Sequence, residues 1–244
     1  VADFVVLKVL TAKSDLGWFR SIFHARELPG GQKSILLPKV VMNEIWPNLR
    51  VRQAVYEACK AAMAAALKPG GGGKSLWREE RAKADTIGRL PVHVDIHGPG
   101  AKPLMQVDRI IKLQDKNWRL NGAFIDADAN DPARFDPLKE GDVAIIGFDG
   151  LDWPTAATVI LVGQTTDAAL WADLSPLVEK RTRPMIRLDE PFLQALSDKH
   201  DLPVHHILRG LLGGTVIAPP VAPVAPAEVR KPRGVRAVSN TDRK

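Results

Sequence analysis

The sequence predicts a mainly β protein with added helices, and three observations carry that prediction. Short runs rich in β-branched residues, separated by turn signals, recur from the N-terminus to Val162. One alanine-rich, helix-favouring stretch interrupts them after Arg52. Beyond Gln164 the apolar residues change from strand spacing to helical spacing. Short strands at such intervals favour a β-barrel or sandwich over a parallel α/β sheet.

The elements follow in order. Phe4 to Leu10, FVVLKVL, is bounded by polar residues and predicts the first strand. Ser14 to His24 mixes Trp18 and Phe23 with Arg20 and His24, then leads to a turn at Pro29-Gly30-Gly31. Ser34 to Leu37 predicts a short strand stopped by Pro38, and Val40 to Trp46 a short helix ending before Pro47. VRQAVYEACKAAMAAALK ends at Pro69 and four glycines, so residues 50–88 read as an inserted helix and flexible loop. Five more strands are expected at Leu90 to Ile96, Leu104 to Lys112, Trp118 to Ile125, Asp142 to Phe148 and Thr158 to Val162. LWADLSPLVEK and DEPFLQALSDKHDLPVHHILRGLL carry capping acids and predict a small helical appendage over residues 165–217. Residues 218–244, proline-rich and then basic, cannot build a core and read as an extended linker or tail.

Composition narrows the function classes. With 45% hydrophobic and 25% charged residues among 244, the chain is no disordered polyelectrolyte. The single cysteine, Cys59, excludes a disulfide scaffold and any cysteine-rich zinc module, and fits a reducing compartment. The apolar runs are too short to span a bilayer, and VADFVVLKVL lacks the marks of a secretory signal, so a soluble cytoplasmic protein without a membrane partner is expected. The net charge of +6 is unevenly spread: residues 102–121 are basic, residues 126–152 acidic, and the tail from Glu228 basic again. A basic face separated from an acidic one suits a phosphate backbone, and equally a solvated surface.

Most motifs fail on inspection. PGGGGKS has Lys68 where a phosphate-binding loop needs glycine, and a helix rather than a strand leads into it. DADAND, from Asp126 to Asp131, has Asp131 where a calcium loop needs glycine and Pro137 where it needs glutamate. VHVDIH places His93, Asp95 and His97 on one strand face, which could contribute metal ligands or simply be the solvated side of an amphipathic strand. His205 and His206 point in different directions on a helix, no G-x-S-x-G occurs, and Cys59 lies within the alanine-rich helix. The only D-x-K pair, Asp242 and Lys244, ends the tail, so no nuclease centre, catalytic residue or cofactor site is expected in this chain alone.

One constellation survives. IKLQDKNWRLNG, Ile111 to Gly122, intersperses Lys112, Gln114, Lys116, Asn117, Arg119 and Asn121 with Trp118. Arginine and lysine can grip phosphate or guanine, and glutamine and asparagine can read adenine. A polar hairpin whose Trp118 packs inward has the same composition.

ILLPKVVMNEIWP, Ile35 to Pro47, resembles the strand-Pro-Lys-helix-Pro segment near the start of the DNA-binding pseudobarrel family, which includes the plant B-three domains and the effector-DNA-binding domain of EcoRII-type restriction enzymes. KNWRLNGAFIDADANDPARFDPLKEGDVAIIGF is similar to the family's later half, where a basic tryptophan-containing strand leads to a leucine, Gly-Asp and a hydrophobic strand; here these are Trp118, Leu138, Gly141, Asp142 and Val143 to Phe148. The resemblance covers residues 4–163 without the insertion, and the acidic run from Asp126 has no counterpart in it. It implies a seven-stranded open pseudobarrel over residues 1–164 whose two arms grip the major groove of duplex DNA. The N-terminal arm would carry Arg20, His24, Arg26, Gln32 and Lys33; the C-terminal arm Arg109, Lys112, Gln114, Lys116, Asn117, Trp118, Arg119 and Asn121. The implied function is recognition of a DNA sequence or base modification without chemistry, as in restriction or phage-defence systems, with a nuclease or other catalytic partner tethered through the tail. Two alternatives stay open: a metal-dependent hydrolase or nuclease subunit using His93, Asp95 and His97, and an RNA-binding or scaffold subunit working through its basic tail.

Overall fold

A computed structural model describes residues 2–12, 14–25, 34–100, 102, 104–114 and 117–200. Eight strands form one sheet: β1 (Phe4–Val9), β2 (Ser34–Pro38), β3 (Arg89–His97), β4 (Met105–Gln114), β5 (Asn117–Asn121), β6 (Val143–Asp149), β7 (Ala156–Val162) and β8 (Met185–Leu188). Their order is β2-β5-β4-β3-β7-β6-β1-β8. Neighbours are antiparallel except β3 and β7, which run parallel.

Strand alternation puts one set of apolar side chains on the concave face. Val6, Ile35, Val94, Ile111, Trp118, Ile146 and Val159, from seven different strands, all join a single core. A flat eight-stranded sheet could not bring β1 and β2 side chains together, so the sheet curls into a nearly closed, barrel-like form. The gap between β1 and β2 is bridged by Asp15, whose Oδ1 accepts from the Leu36 amide at 2.8 Å.

The helices close the ends and cover the outside. A 3-10 turn at Leu16–Trp18 and α1 (Arg20–Ala25) follow β1, and α2 (Lys39–Ile45) follows β2. The next helix, α3 (Pro47–Ala66), starts with proline in its first turn, where the missing amide hydrogen costs nothing. Trp46, just before it, is fully buried and donates its indole N–H to the Gly150 carbonyl at 2.6 Å. On the convex side of β1, β6 and β7, Val5, Leu7, Ile145 and Ile160 pack against Leu170 and Leu174 of α5 (Ala168–Leu174) and Leu193 and Leu196 of α6 (Glu190–Lys199). Asp189 caps α6 by accepting from the Phe192 amide at 2.9 Å.

The architecture is mixed helix and sheet, one barrel-like sheet with six helices among the described residues, which is compatible with the expected mainly β class with added helices; three finer expectations need correction. The sheet has eight strands rather than seven, because MIRL within the expected helical appendage forms β8 and extends the sheet beside β1. The strand expected over Trp118 to Ile125 stops at Asn121, where Gly122 turns the chain. Residues 50–88 are not a helix and a loop but two helices, α3 and α4 (Gly73–Ile87), folded against each other. The glycines form the turn between them, with Gly70 and Gly72 at φ of 78° and 88°, values that side-chain-bearing residues rarely adopt. No helix among the described residues is long and apolar enough to cross a membrane.

Candidate nucleic-acid interface

The β4–β5 hairpin separates its side chains cleanly by face. Ile111, Leu113, Trp118 and Leu120 point into the core, so Lys112, Gln114, Asn117, Arg119 and Asn121 point out. Register aligns them: Lys112 lies opposite Arg119, and Gln114 opposite Asn117. On the other side of β4, Lys112 lies opposite Arg89, the first residue of β3. Three cations therefore form a row across three strands, about 10 Å from end to end at ~4.8 Å per strand step, with an amide pair beside it toward the hairpin tip.

The opposite end of the same face is acidic. His93 Nδ1 lies 3.0 Å from Asp108 Oδ1, and its Nε2 lies 3.5 Å from Asp95. Asp95 accepts from Gln106 at 3.0 Å. Lys112 and Asp108 are four residues apart on β4, so the face changes sign over about 14 Å.

Of the expected arm residues, eight fall into two groups, one is a core residue and four lie outside the described residues. Lys112, Gln114, Asn117, Arg119 and Asn121 share the convex face just described. Arg20, His24 and Arg109 meet at Phe124: the Arg20 guanidinium lies 4.9 Å from its ring centroid, the His24 ring 5.9 Å, and Arg109 Nη2 donates to its carbonyl at 3.2 Å. Trp118 belongs to neither group. It is fully buried and donates its indole N–H to Asn43 Oδ1 at 3.3 Å, which makes it a core anchor rather than a stacking platform for bases. Arg26, Gln32, Lys33 and Lys116 lie outside the described residues.

Arg109 and Arg20 are both engaged within the fold. Arg109 projects to the concave side with Ile111 and Leu113; a Cβ on Gly122 would come within 2.5 Å of its Cδ, so only glycine leaves room for it. Its Nη1 donates to the Asp108 carbonyl at 2.7 Å, and burial pushes its guanidinium below the ordinary value. Arg20 forms a two-point ion pair with Asp126, whose carboxyl the Arg20 hydrogen bond holds below the usual carboxylate range. Asp131 similarly holds Lys102 at 2.6 Å. The acidic run is thus spent on neighbouring cations, and Asp128 on the local turn to Asn130, rather than arranged around a calcium ion.

Sequence reasoning missed Arg89. The available signal was its phase: it alternates with Pro91, His93 and Asp95 on the polar side of β3. What placed it beside Lys112 is register, which the sequence does not spell out.

His93, Asp95 and His97 do share one face, as alternation requires. His93 is directed to Asp108, however, and no group of three or more His, Cys, Asp or Glu side chains among the described residues is arranged to hold a metal. Burial pushes the His97 imidazole below its ordinary value, against an opposing influence from Asp95 and with Arg134 adding to the shift. The neutral form is therefore favoured in the fold, and stability is lost as pH falls below about 6.5, where the unfolded chain takes up the proton first. His93, raised by its hydrogen bond to Asp108, acts oppositely: its contribution is present below that pH and fades above it. Urea denaturation of wild type and His97→Gln between pH 7.5 and 5 should show a flatter acid limb in the variant; identical profiles would contradict this.

No family model, no curated protein and no solved structure matches the chain.

Proposed function

We propose that this chain is a double-stranded DNA-binding module that lays its β4–β5 hairpin in the major groove and recognises a sequence or a base modification. The observation that carries the reading is the cross-strand arrangement of Arg89, Lys112 and Arg119 beside Gln114 and Asn117. The major groove is about 12 Å wide, and because β3 and β2 flank the hairpin it would meet the groove through its Gln114–Asn117 end and the sheet's convex face rather than as a free ribbon. The cation row suits phosphate oxygens, which set register and affinity, and the amide pair suits adenine edges, which carry sequence information. The resemblance to the pseudobarrel family points to the same hairpin. By analogy with the effector-DNA-binding domains of restriction enzymes, the partner would be a catalytic domain or subunit of a restriction or phage-defence system.

The second arm is a smaller contributor in this reading. Arg20 already has a carboxylate partner in Asp126, so a phosphate must compete for it. The hydrolase alternative has no assembled metal cluster in its favour among the described residues. The RNA-binding or scaffold alternative rests on the tail, which lies outside them.

A mobility-shift titration across salt concentrations tests the reading. Replacing both Lys112 and Arg119 by alanine should weaken duplex binding and reduce the slope of log K against log salt by about two, near 0.9 for each phosphate no longer neutralised. Unchanged affinity and slope would remove the hairpin from the interface.

A further inference from the structure

The α3–α4 pair has no place in the pseudobarrel resemblance, yet it adjoins the cation row. The buried side of α4 is formed by Trp77, Glu80, Ala84 and Ile87, which turn toward α3 and the barrel. Next to that side, Lys74, Arg78 and Arg81 recur at helical spacing, and all three are exposed. Asp85 continues the same stripe one turn further on. Its carboxylate lies 3.9 Å from Arg81 Nε and 3.2 Å from Arg89 Nη2, so one side chain joins the end of the helix stripe to the start of the sheet row.

A phosphate must compete with Asp85 for Arg81 and Arg89, as with Asp126 for Arg20, but with Lys74 and Arg78 the stripe stays net positive. Glu79 and Glu80 are both paired with Lys83, at 2.9 Å and 2.8 Å, on other sides of the helix. Arg81 lies over the Trp77 ring at 5.1 Å, which supports its guanidinium at the margin of the packed side. The link to the sheet is short: the Gly88 carbonyl accepts from the Leu113 amide at 2.8 Å, and the chain passes directly into Arg89.

We propose that α4 is a second phosphate-contacting element, and that Lys74, Arg78 and Arg81 extend the Arg89–Lys112–Arg119 row along the DNA backbone. The helix portion from Lys74 to Asp85 adds about 16 Å at ~1.5 Å per residue, so the contour of the track is some two and a half times that of the sheet row alone. The ligand class is the sugar-phosphate backbone of a duplex. Arginine can also read guanine, but only from within a groove; a stripe that runs on from the sheet row along the backbone is assigned to phosphate, so α4 adds affinity and no sequence preference. This inference rests on the duplex-binding reading above.

The test uses the whole chain with Lys74, Arg78 and Arg81 all changed to alanine, titrated with a labelled random-sequence duplex by fluorescence anisotropy at several salt concentrations. Alanine is the best helix former, and the three positions are exposed, so far-UV circular dichroism should be unchanged. The expected result is a salt slope lower by about two to three, with the rank order among duplexes of different sequence preserved. An unchanged slope in the variant, with the wild-type chain binding normally, overturns the α4 contact and leaves the hairpin reading standing. An altered sequence ranking overturns it as a backbone-only contact. A wild-type chain that binds no duplex at low salt overturns both readings together.

Discussion

Asp15→Ala is expected to lower the unfolding free energy by about 3–5 kcal/mol, the usual cost of leaving one partner of a buried ion pair behind. Asp15 and Lys8 are almost wholly buried, at 0% and 1% exposure, with Lys8 Nζ 3.1 Å from Asp15 Oδ2. The same Oδ2 accepts from the Thr11 amide at 2.8 Å and the Thr11 hydroxyl at 2.7 Å, and Oδ1 accepts from the Leu36 amide at 2.8 Å. Alanine would strand an ammonium group inside the barrel and remove the bridge between the end of β1 and β2. For a domain of this size the loss corresponds to a Tm lower by roughly 10 °C. Adding Lys8→Met to Asp15→Ala should recover the part of the loss due to the stranded ammonium, while the part due to the Thr11 and Leu36 amides, left without their acceptor, remains. Urea midpoints for the two single variants and the double variant check this. A cost below about 1 kcal/mol for Asp15→Ala would show that water reaches the pair.

Reversing both charges at Lys112 and Arg119 to glutamate should weaken duplex binding by about 100-fold or more near 0.1 M salt, since two phosphate contacts become two repulsions. Both residues sit on the convex face of the hairpin, away from the core formed by Ile111, Leu113, Trp118 and Leu120, but both are half-buried and Arg119 Nη1 lies 3.5 Å from the buried Ser34 Oγ, so the urea midpoint of the double variant is measured beside its binding. Gln114→Ala and Asn117→Ala should behave differently: the preference among duplex sequences changes while the salt slope stays the same. Anisotropy with a panel of duplexes separates the two behaviours. A double reversal that binds like wild type, with the fold intact, would place the DNA elsewhere or nowhere.

Much of the fold was legible because strands announce themselves locally. FVVLKV, RLPVHVDIH and VAIIGFD carry the composition or the alternation of strands, and all three form them. Lys8 was legible as part of a strand but not as an inward charge, since its partner Asp15 arrives only when the chain turns back. The helix α4 was obscured by the glycines ahead of it, although Glu79 and Lys83 at i,i+4 are a helical signal. The four residues of β8 sit between helical stretches and owe their conformation to pairing with β1, a strand distant in sequence. The same holds for the candidate interface. The hairpin's polar residues could be picked from composition, and alternation sends Trp118 to the opposite face from Asn117 and Arg119, but the row through Arg89 exists only once β3 and β4 are in register.

Hydrogen exchange of the whole chain, alone and with a saturating duplex, tests the central claim most directly, because it reports where DNA touches as well as whether it binds. The account predicts slowed exchange in β4, β5 and the first residues of β3, with α4 following, and little change in α5, α6 or β8. Protection confined to the His93–Asp95–His97 end of β3 or to the α5–α6 side, or no protection on any strand, would contradict it.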